Sequence, residues 1–103
     1  MPIEIRDNSE LGRYEILDGG QLAGFADYRL RGGRLIFPHA EIDPEHQGAG
    51  LGSRLARFAL DDARARQLTI VPLCPFIASY VDSHPEYLDM VAPAMRPRVS
   101  EPE

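Results

Sequence analysis

Gln47-Gly48-Ala49-Gly50-Leu51-Gly52-Ser53 marks the point where the patterning of the chain changes. Downstream of it, Leu51, Leu55, Ala56, Ala59, Leu60 and Ala63 recur as one stripe of a helix. Upstream, apolar and polar residues alternate as they do in strands. Glycines at 48, 50 and 52 strip the Cβ atoms from one wall of this strand-to-helix turn, so a ligand can touch backbone. The first amides of a helix lack intrahelical acceptors, and the helix dipole adds partial positive charge, so phosphate oxygens suit such a turn. The competing reading is a flexible linker with Ser53 as N-cap, and the cost of glycine at a helix opening weighs against it. A Walker loop needs Gly-Lys-Ser/Thr, and the chain has no lysine. The dinucleotide fingerprint needs G-x-G-x-x-G, whereas this segment reads G-x-G-x-G.

Outward from the loop, Ile3 to Arg6 and Arg13 to Leu17 alternate, and Asp18-Gly19-Gly20 supplies a hairpin turn. Gln21 to Leu30 reads as a longer strand in which Gly24 permits a bulge. Arg31-Gly32-Gly33 turns the chain into a strand over Arg34 to Ile42. An antiparallel meander is the simplest assembly. After the helix, the apolar run Leu68 to Leu73 predicts a buried strand, and a strand–helix–strand order implies one parallel pairing. Pro75 suits the first position of a short helix reaching about Ser83. The expected fold is α+β, a mixed sheet in the order β-β-β-α-β-α: a meander followed by one βαβ unit. A single domain over 1–91 and a frayed, proline-bearing tail over 92–103 complete the expectation.

The composition bounds the partners. The chain has 103 residues, 16 acidic against 11 basic, and a formal charge of -5. One compact domain fits this length. An acidic chain is poorly suited to a phosphate backbone, so no nucleic-acid partner is expected, and a cationic partner such as an amine suits it better. The single cysteine, Cys74, excludes an intramolecular disulfide and a Cys-rich metal site. His39, His46 and His84 lack metal-ligand spacing, so no metal is expected. Met1 to Glu10 holds no apolar leader and no run approaches a bilayer's width, so a cytoplasmic protein without membrane contact is expected.

The loop resembles the pyrophosphate loop of the Gcn5-related N-acetyltransferase superfamily, (Arg/Gln)-x-x-Gly-x-(Gly/Ala), with Gln47, Gly50 and Gly52 at its fixed positions. More narrowly, the chain is similar to the short single-domain, uncharacterised-type N-acetyltransferases. Their ordered motifs match His39-Ala40-Glu41, the glycine loop, Cys74-Pro75-Phe76 and His84-Pro85-Glu86-Tyr87. The resemblance spans Gln21 to Leu88 and implies acetyl-CoA as co-substrate. The amides of Gln47, Gly48, Ala49, Gly50, Leu51, Gly52 and Ser53 would then cradle the pyrophosphate. The strand end His39, Ala40, Glu41 and Ile42 would pair with the pantetheine arm like an added strand, and Cys74 would line the thiol pocket. Longer members carry helices between the first two strands and further C-terminal strands that shape the acceptor pocket. This chain has a bare turn in place of the former and lacks the latter. The acceptor site is therefore open, completed by a second subunit, or degenerate.

Acetyl transfer from a thioester to an amine requires an amine deprotonated, a carbonyl polarised and a thiolate stabilised. Residues two apart in a strand share a face, so His39 and Glu41 are expected to point together, along with Leu35 and Phe37, as candidate bases. The alternative is that His39 fills a polar pocket and Glu41 pairs with an arginine. Cys74, before Pro75, is placed near a helix start that favours its thiolate; it is read as an acetyl acceptor, a pocket wall or a small buried hydrophobe. Direct transfer is the usual superfamily mechanism. Tyr87 or Tyr80 would donate to the leaving thiolate, or pack against the sheet. His46 is expected in an exposed loop, solvated or touching a CoA phosphate. Three function classes compete: an acetyltransferase acting on a small-molecule, peptide or protein amine, a non-catalytic CoA-binding sensor or interaction module, and a domain binding another anion. A free sheet edge leaves monomer and homodimer both open.

Overall fold

A computed structural model describes residues 2–46 and 50–92. Gln47, Gly48 and Ala49 of the loop, and the expected tail beyond residue 92, lie outside the described residues. The elements are β1 (Ile3–Asn8), β2 (Arg13–Asp18), β3 (Gln21–Arg31), β4 (Arg34–Ile42), a 3-10 turn (Pro44–His46), α1 (Leu51–Ala65), β5 (Thr69–Pro72), α2 (Pro75–Ser83) and a 3-10 helix (Pro85–Met90). One sheet runs β1-β2-β3-β4-β5. Its first four strands are antiparallel and β5 joins β4 in parallel. The mixed α+β architecture is thus as expected, a meander feeding one βαβ unit.

Four strands precede α1 where the expected order has three. Ile3 to Arg6 is a short alternation, but all six residues of β1 pair with β2, and Ile3 and Ile5 pack against the core. The hairpin between β2 and β3 turns on Gly19 and Gly20, at φ 59° and 88°, the left-handed pair that a tight hairpin with right-handed strand twist requires. β5 lies at the sheet edge rather than inside it. Its outer side is covered by the chain itself: Val91 bridges Ile70, and the Ala92 N–H donates to the Ile70 carbonyl at 2.9 Å.

The six stripe residues of α1 are the ones it buries, against a core that includes Tyr14, Ile16, Leu35, Phe37 and Ile70. Each leucine so buried contributes about 1.5–3 kcal/mol. Ile77 and Val81 of α2 and Tyr87 join the same cluster. Tyr14 is fully buried, and its hydroxyl donates to Asp62 Oδ2 at 2.7 Å, so it is satisfied on the helix it packs against.

Two bulges interrupt the antiparallel ladder. Ala23 is an extra residue in β3, since Ile16 faces Gly24 while Leu17 faces Leu22. On β4, Phe37 and Pro38 together oppose Tyr28, because Asp27 faces His39 while Arg29 faces Ile36. Pro38 has no N–H to give the ladder, which suits a bulge. Side chains exchange faces across it. Leu35 and Phe37 are fully buried, whereas Ala40 and Ile42 continue the core side and His39 and Glu41 emerge exposed. The expectation that all four share a face is therefore corrected: His39 and Glu41 do lie together, on the opposite side of the sheet.

On that side the buried charge among the described residues is Glu15, only 2% exposed. It accepts hydrogen bonds from Arg13 Nε at 2.7 Å, Arg6 Nε at 2.9 Å and Asn8 Nδ2 at 3.3 Å. Burial pushes its pKa up, but the hydrogen bonds from Arg13, Arg6 and Asn8 outweigh it and hold the carboxyl below its ordinary 4.5. A carboxylate with a depressed folded pKa gives stability that is full above the unfolded value and lost as pH falls through the folded one. Chemical denaturation from pH 6 down to pH 3 should therefore show a stability loss beginning near pH 4.5 in the wild type. The loss should be shallower in Glu15→Gln; parallel curves would remove Glu15 from the acid response.

Candidate functional site

β4 and β5 stay paired only from Arg34 to Phe37 and from Thr69 to Pro72. The Cys74 N–H closes the junction on the Phe37 carbonyl at 2.8 Å, and there the chain enters α2. The rest of β4 therefore runs on beside the starts of two helices instead of a strand. The resulting cleft has a volume of about 350 Å³ and is lined by Ala40, Glu41, Ile42, Gly50, Gly52, Ser53 and Phe76. The expected strand end and the described part of the expected loop thus meet at one site.

Gly50 is the N-cap of α1, at φ 74° and ψ 11°, a left-handed conformation natural to glycine. Among the described residues no side chain caps the helix, so the amides of Leu51, Gly52 and Ser53 are left as its orphan donors, and Ser53 is not the cap. Gly52 answers a second requirement. A Cβ built there would stand 2.8 Å from Phe76 Cζ and 3.4 Å from Ile42 Cγ1, so its absence lets α1, α2 and β4 converge.

At the cleft's strand wall, His39 Nε2 lies 2.5 Å from Glu41 Oε2, with both side chains more than half exposed. The His39 ring also sits 6.0 Å from that of Phe25. Glu41 thus pairs with His39, and no arginine forms an ion pair with it among the described residues. Cys74 is the N-cap of α2 and 2% exposed within the core cluster, and it is not among the cleft-lining residues. Its neighbour Phe76 is the wall instead.

A second hollow of about 190 Å³ adjoins the cleft through Ser53 and Phe76 and is completed by Ser79, Tyr80, Ser83 and His84. Tyr80 stacks on His84, ring centroids 3.9 Å apart, and His84 Nδ1 contacts the Tyr80 carbonyl at 2.9 Å. Burial raises the Tyr80 pKa above 10.0, with Arg57 opposing it and Asp61 and Glu86 adding to it. Tyr87 lies elsewhere: it is 5% exposed, and its hydroxyl donates to Asp61 Oδ1 at 2.7 Å. Burial and that bond push its pKa up to about 12. His46, expected in an exposed loop, is a correction. Its side chain is 17% exposed, held between Asp18 at 3.4 Å and Asp43 at 3.6 Å, because the 3-10 turn folds it back toward the β2–β3 hairpin.

The sequence reading does not single out Phe76, Ser79 and Ser83. Phe76 stands inside the Cys-Pro-Phe motif, whereas the serines carry no local signal. Among the described residues no group of His, Cys, Asp and Glu is arranged to hold a metal, and no helix is long and apolar enough to cross a membrane.

A family model described as GCN5-related N-acetyl-transferase matches residues 13–90. No curated protein matches the chain. Among solved structures, a GCN5-like protein from Staphylococcus aureus superposes with a TM-score of 0.68 at 22% identity, covering 86% of this chain and 87% of its own. The ribosomal-protein-S18-alanine N-acetyltransferase of Escherichia coli gives 0.56 at 21% identity over 58% of this chain. N-acetylglutamate synthase of Neisseria gonorrhoeae, solved with coenzyme A and N-acetyl-glutamate, gives 0.53 at 20% identity over 65%. This chain spans 39% of the first of those two enzymes and 18% of the second. At these identities the likeness is one of fold.

Proposed function

Since the chain belongs to the GCN5-related N-acetyltransferase family, we propose that it transfers the acetyl group of acetyl-CoA to an amine through the cleft between β4, α1 and α2. The observation that carries this reading is the convergence of uncapped helix amides, the left-handed Gly50 and the end of β4 on one cleft. Pyrophosphate fits this cradle: it needs N–H donors, partial positive charge and close backbone approach. The solved neighbour with coenzyme A is consistent with the same cofactor. When bound, acetyl-CoA supplies the activated acyl group.

The chain's own residues supply the rest. The amides of Leu51, Gly52 and Ser53 bind the pyrophosphate, and the backbone of His39 to Glu41 aligns the pantetheine arm. Glu41, paired with His39, takes the proton from the incoming amine. Tyr80 keeps its phenolic proton at neutral pH and stands in the adjoining hollow, so it serves as donor to the departing thiolate. Tyr87 is already engaged on Asp61 and fits that role less well. Cys74 lies two residues from the Phe76 wall and off the lining, which favours direct transfer over an acetylated cysteine.

Thermal unfolding with acetyl-CoA, CoA, ATP and NAD in parallel tests the cofactor. Acetyl-CoA at about a hundred times its dissociation constant should add roughly 2.7 kcal/mol. A midpoint unmoved by either coenzyme would sink the reading. Release of free CoA on adding amines then separates an enzyme from a silent CoA-binding module. Glu41→Gln should lower kcat by about 10²- to 10⁴-fold with acetyl-CoA affinity retained. An unchanged rate would remove Glu41 as the base. One acetyl group on the wild type, lost in Cys74→Ala by mass spectrometry, would overturn direct transfer.

A further inference from the structure

The face of the sheet turned away from α1 carries a row of side chains that ends at the cleft rim. Pairing sets Arg6 of β1 opposite Glu15 of β2, Glu15 opposite Phe25 of β3, and Phe25 opposite Glu41 of β4. The next row sets Arg13 opposite Asp27 and Asp27 opposite His39. Glu15 clamps both flanking guanidinium groups through their Nε atoms. The Arg13 guanidinium lies over the Phe25 ring, 4.9 Å from its centroid, and the Phe25 ring meets that of His39 at 6.0 Å. His39 in turn touches Glu41, which lines the cleft. A continuous line of contacts thus joins a buried carboxylate on β2 to the cleft.

We propose that Glu15, Arg13 and Phe25 form a positioning stack for the His39–Glu41 pair, fixing the imidazole at the cleft rim. Glu15 and Arg13 touch neither the cleft nor its lining, and they act through Phe25 and His39. The stack has a physical reason to be rigid. A guanidinium pinned by a buried carboxylate loses its rotamer freedom, and a planar cation over an aromatic face holds the ring as well. An exposed His–carboxylate pair on its own is weakly ordered, because solvent competes for both partners. The buried Glu15 behind it, with the half-buried Arg13 and Phe25, supplies that order. The inference rests on reading Glu41 and His39 as the base pair of the transfer.

The test is the order of the His39 ring, read by NMR relaxation of its ring carbons in the full chain. Arg13→Met removes the guanidinium that lies over Phe25, so the ring should become mobile on the fast timescale. Glu15→Gln, nearly the same shape, loosens the grip on both guanidinium groups and should mobilise it too. Arg13→Lys keeps the charge without the planar fork and should not restore the order. Arg64→Met, which breaks a contact with Asp89 on the helical side, should leave the ring as it is in the wild type. With an accepted amine, kcat should fall by about tenfold to a hundredfold in Arg13→Met while acetyl-CoA affinity stays constant. A His39 ring equally ordered in the wild type, Arg13→Met and Glu15→Gln would overturn the proposal, as would full order in Arg13→Lys. A wild-type chain that transfers no acetyl group sinks the function above, while the relaxation measurements still decide the stack.

Discussion

Gly52→Val is expected to abolish acetyl-CoA binding in a chain that remains folded. A single Cβ at this position already stands 2.8 Å from Phe76 Cζ and 3.1 Å from Cε1, and valine adds two methyl groups in the same space. Relief requires the Phe76 ring to swing, and Phe76 is a wall of the cleft, so the ring closes the space the cofactor needs. The branched side chain also crowds the amides at the start of α1, which are the proposed pyrophosphate donors. Affinity by isothermal titration should weaken by about a hundredfold or more, removing the roughly 2.7 kcal/mol of ligand stabilisation seen at a hundred times the wild-type dissociation constant. Gly50→Ala is the graded comparison. Its Cβ meets nothing within 4 Å among the described residues, so the left-handed backbone penalty of about 1–2 kcal/mol is its expected cost. Wild-type affinity in Gly52→Val would sink the placement of the pyrophosphate at α1.

Phe37→Ala should have the largest effect on stability. Phe37 is fully buried, lies 6.3 Å from the Tyr14 ring, and is the last β4 residue paired with β5. Its carbonyl accepts the Cys74 N–H, so the strand pair and the start of α2 are both fastened where its ring packs. Truncating a buried phenylalanine costs about 3–5 kcal/mol, the lost transfer energy plus the cavity left behind. At this chain length about 4 °C is lost per kcal/mol, so the melting temperature should drop by roughly 12–20 °C. That is a large part of the total stability of an ordinary domain. A drop of only a few degrees by calorimetry would mean that the core closes over the gap and that the junction is held by its backbone alone.

Local chemistry made much of this molecule readable in advance. The α1 stripe follows from helical period alone, and every residue in it is buried. The glycine pairs after Asp18 and Arg31 fix hairpins through their φ angles, and Pro75 opens α2 because it lacks an N–H at a position that needs none. The glycine loop marks a candidate site in the sequence because orphan amides and missing Cβ atoms are properties of a few consecutive residues. Other features depended on partners distant in the chain. Nothing in Arg13 to Leu17 says that Glu15 is buried, because burial arises only when Arg6, Asn8 and Arg13 close over it. Tyr80 and Tyr87 read alike as sequence, and only the docking of the 3-10 helix on α1 gives one an aspartate and leaves the other in a hollow.

The sequence by itself determined β2 to β5, α1 and α2, the meander with its one parallel crossover, and the position of the glycine loop between strand and helix. These arise from periodicity and from backbone preferences confined to a few neighbouring residues. Tertiary structure decided which way the site's side chains face. Phe37 and Pro38 bulge against Tyr28, and that one-residue slip carries His39 and Glu41 away from the core that Leu35 and Phe37 fill. The strand's two-residue period holds only while the ladder is regular, and its break depends on the register of β3, which lies outside β4's own sequence.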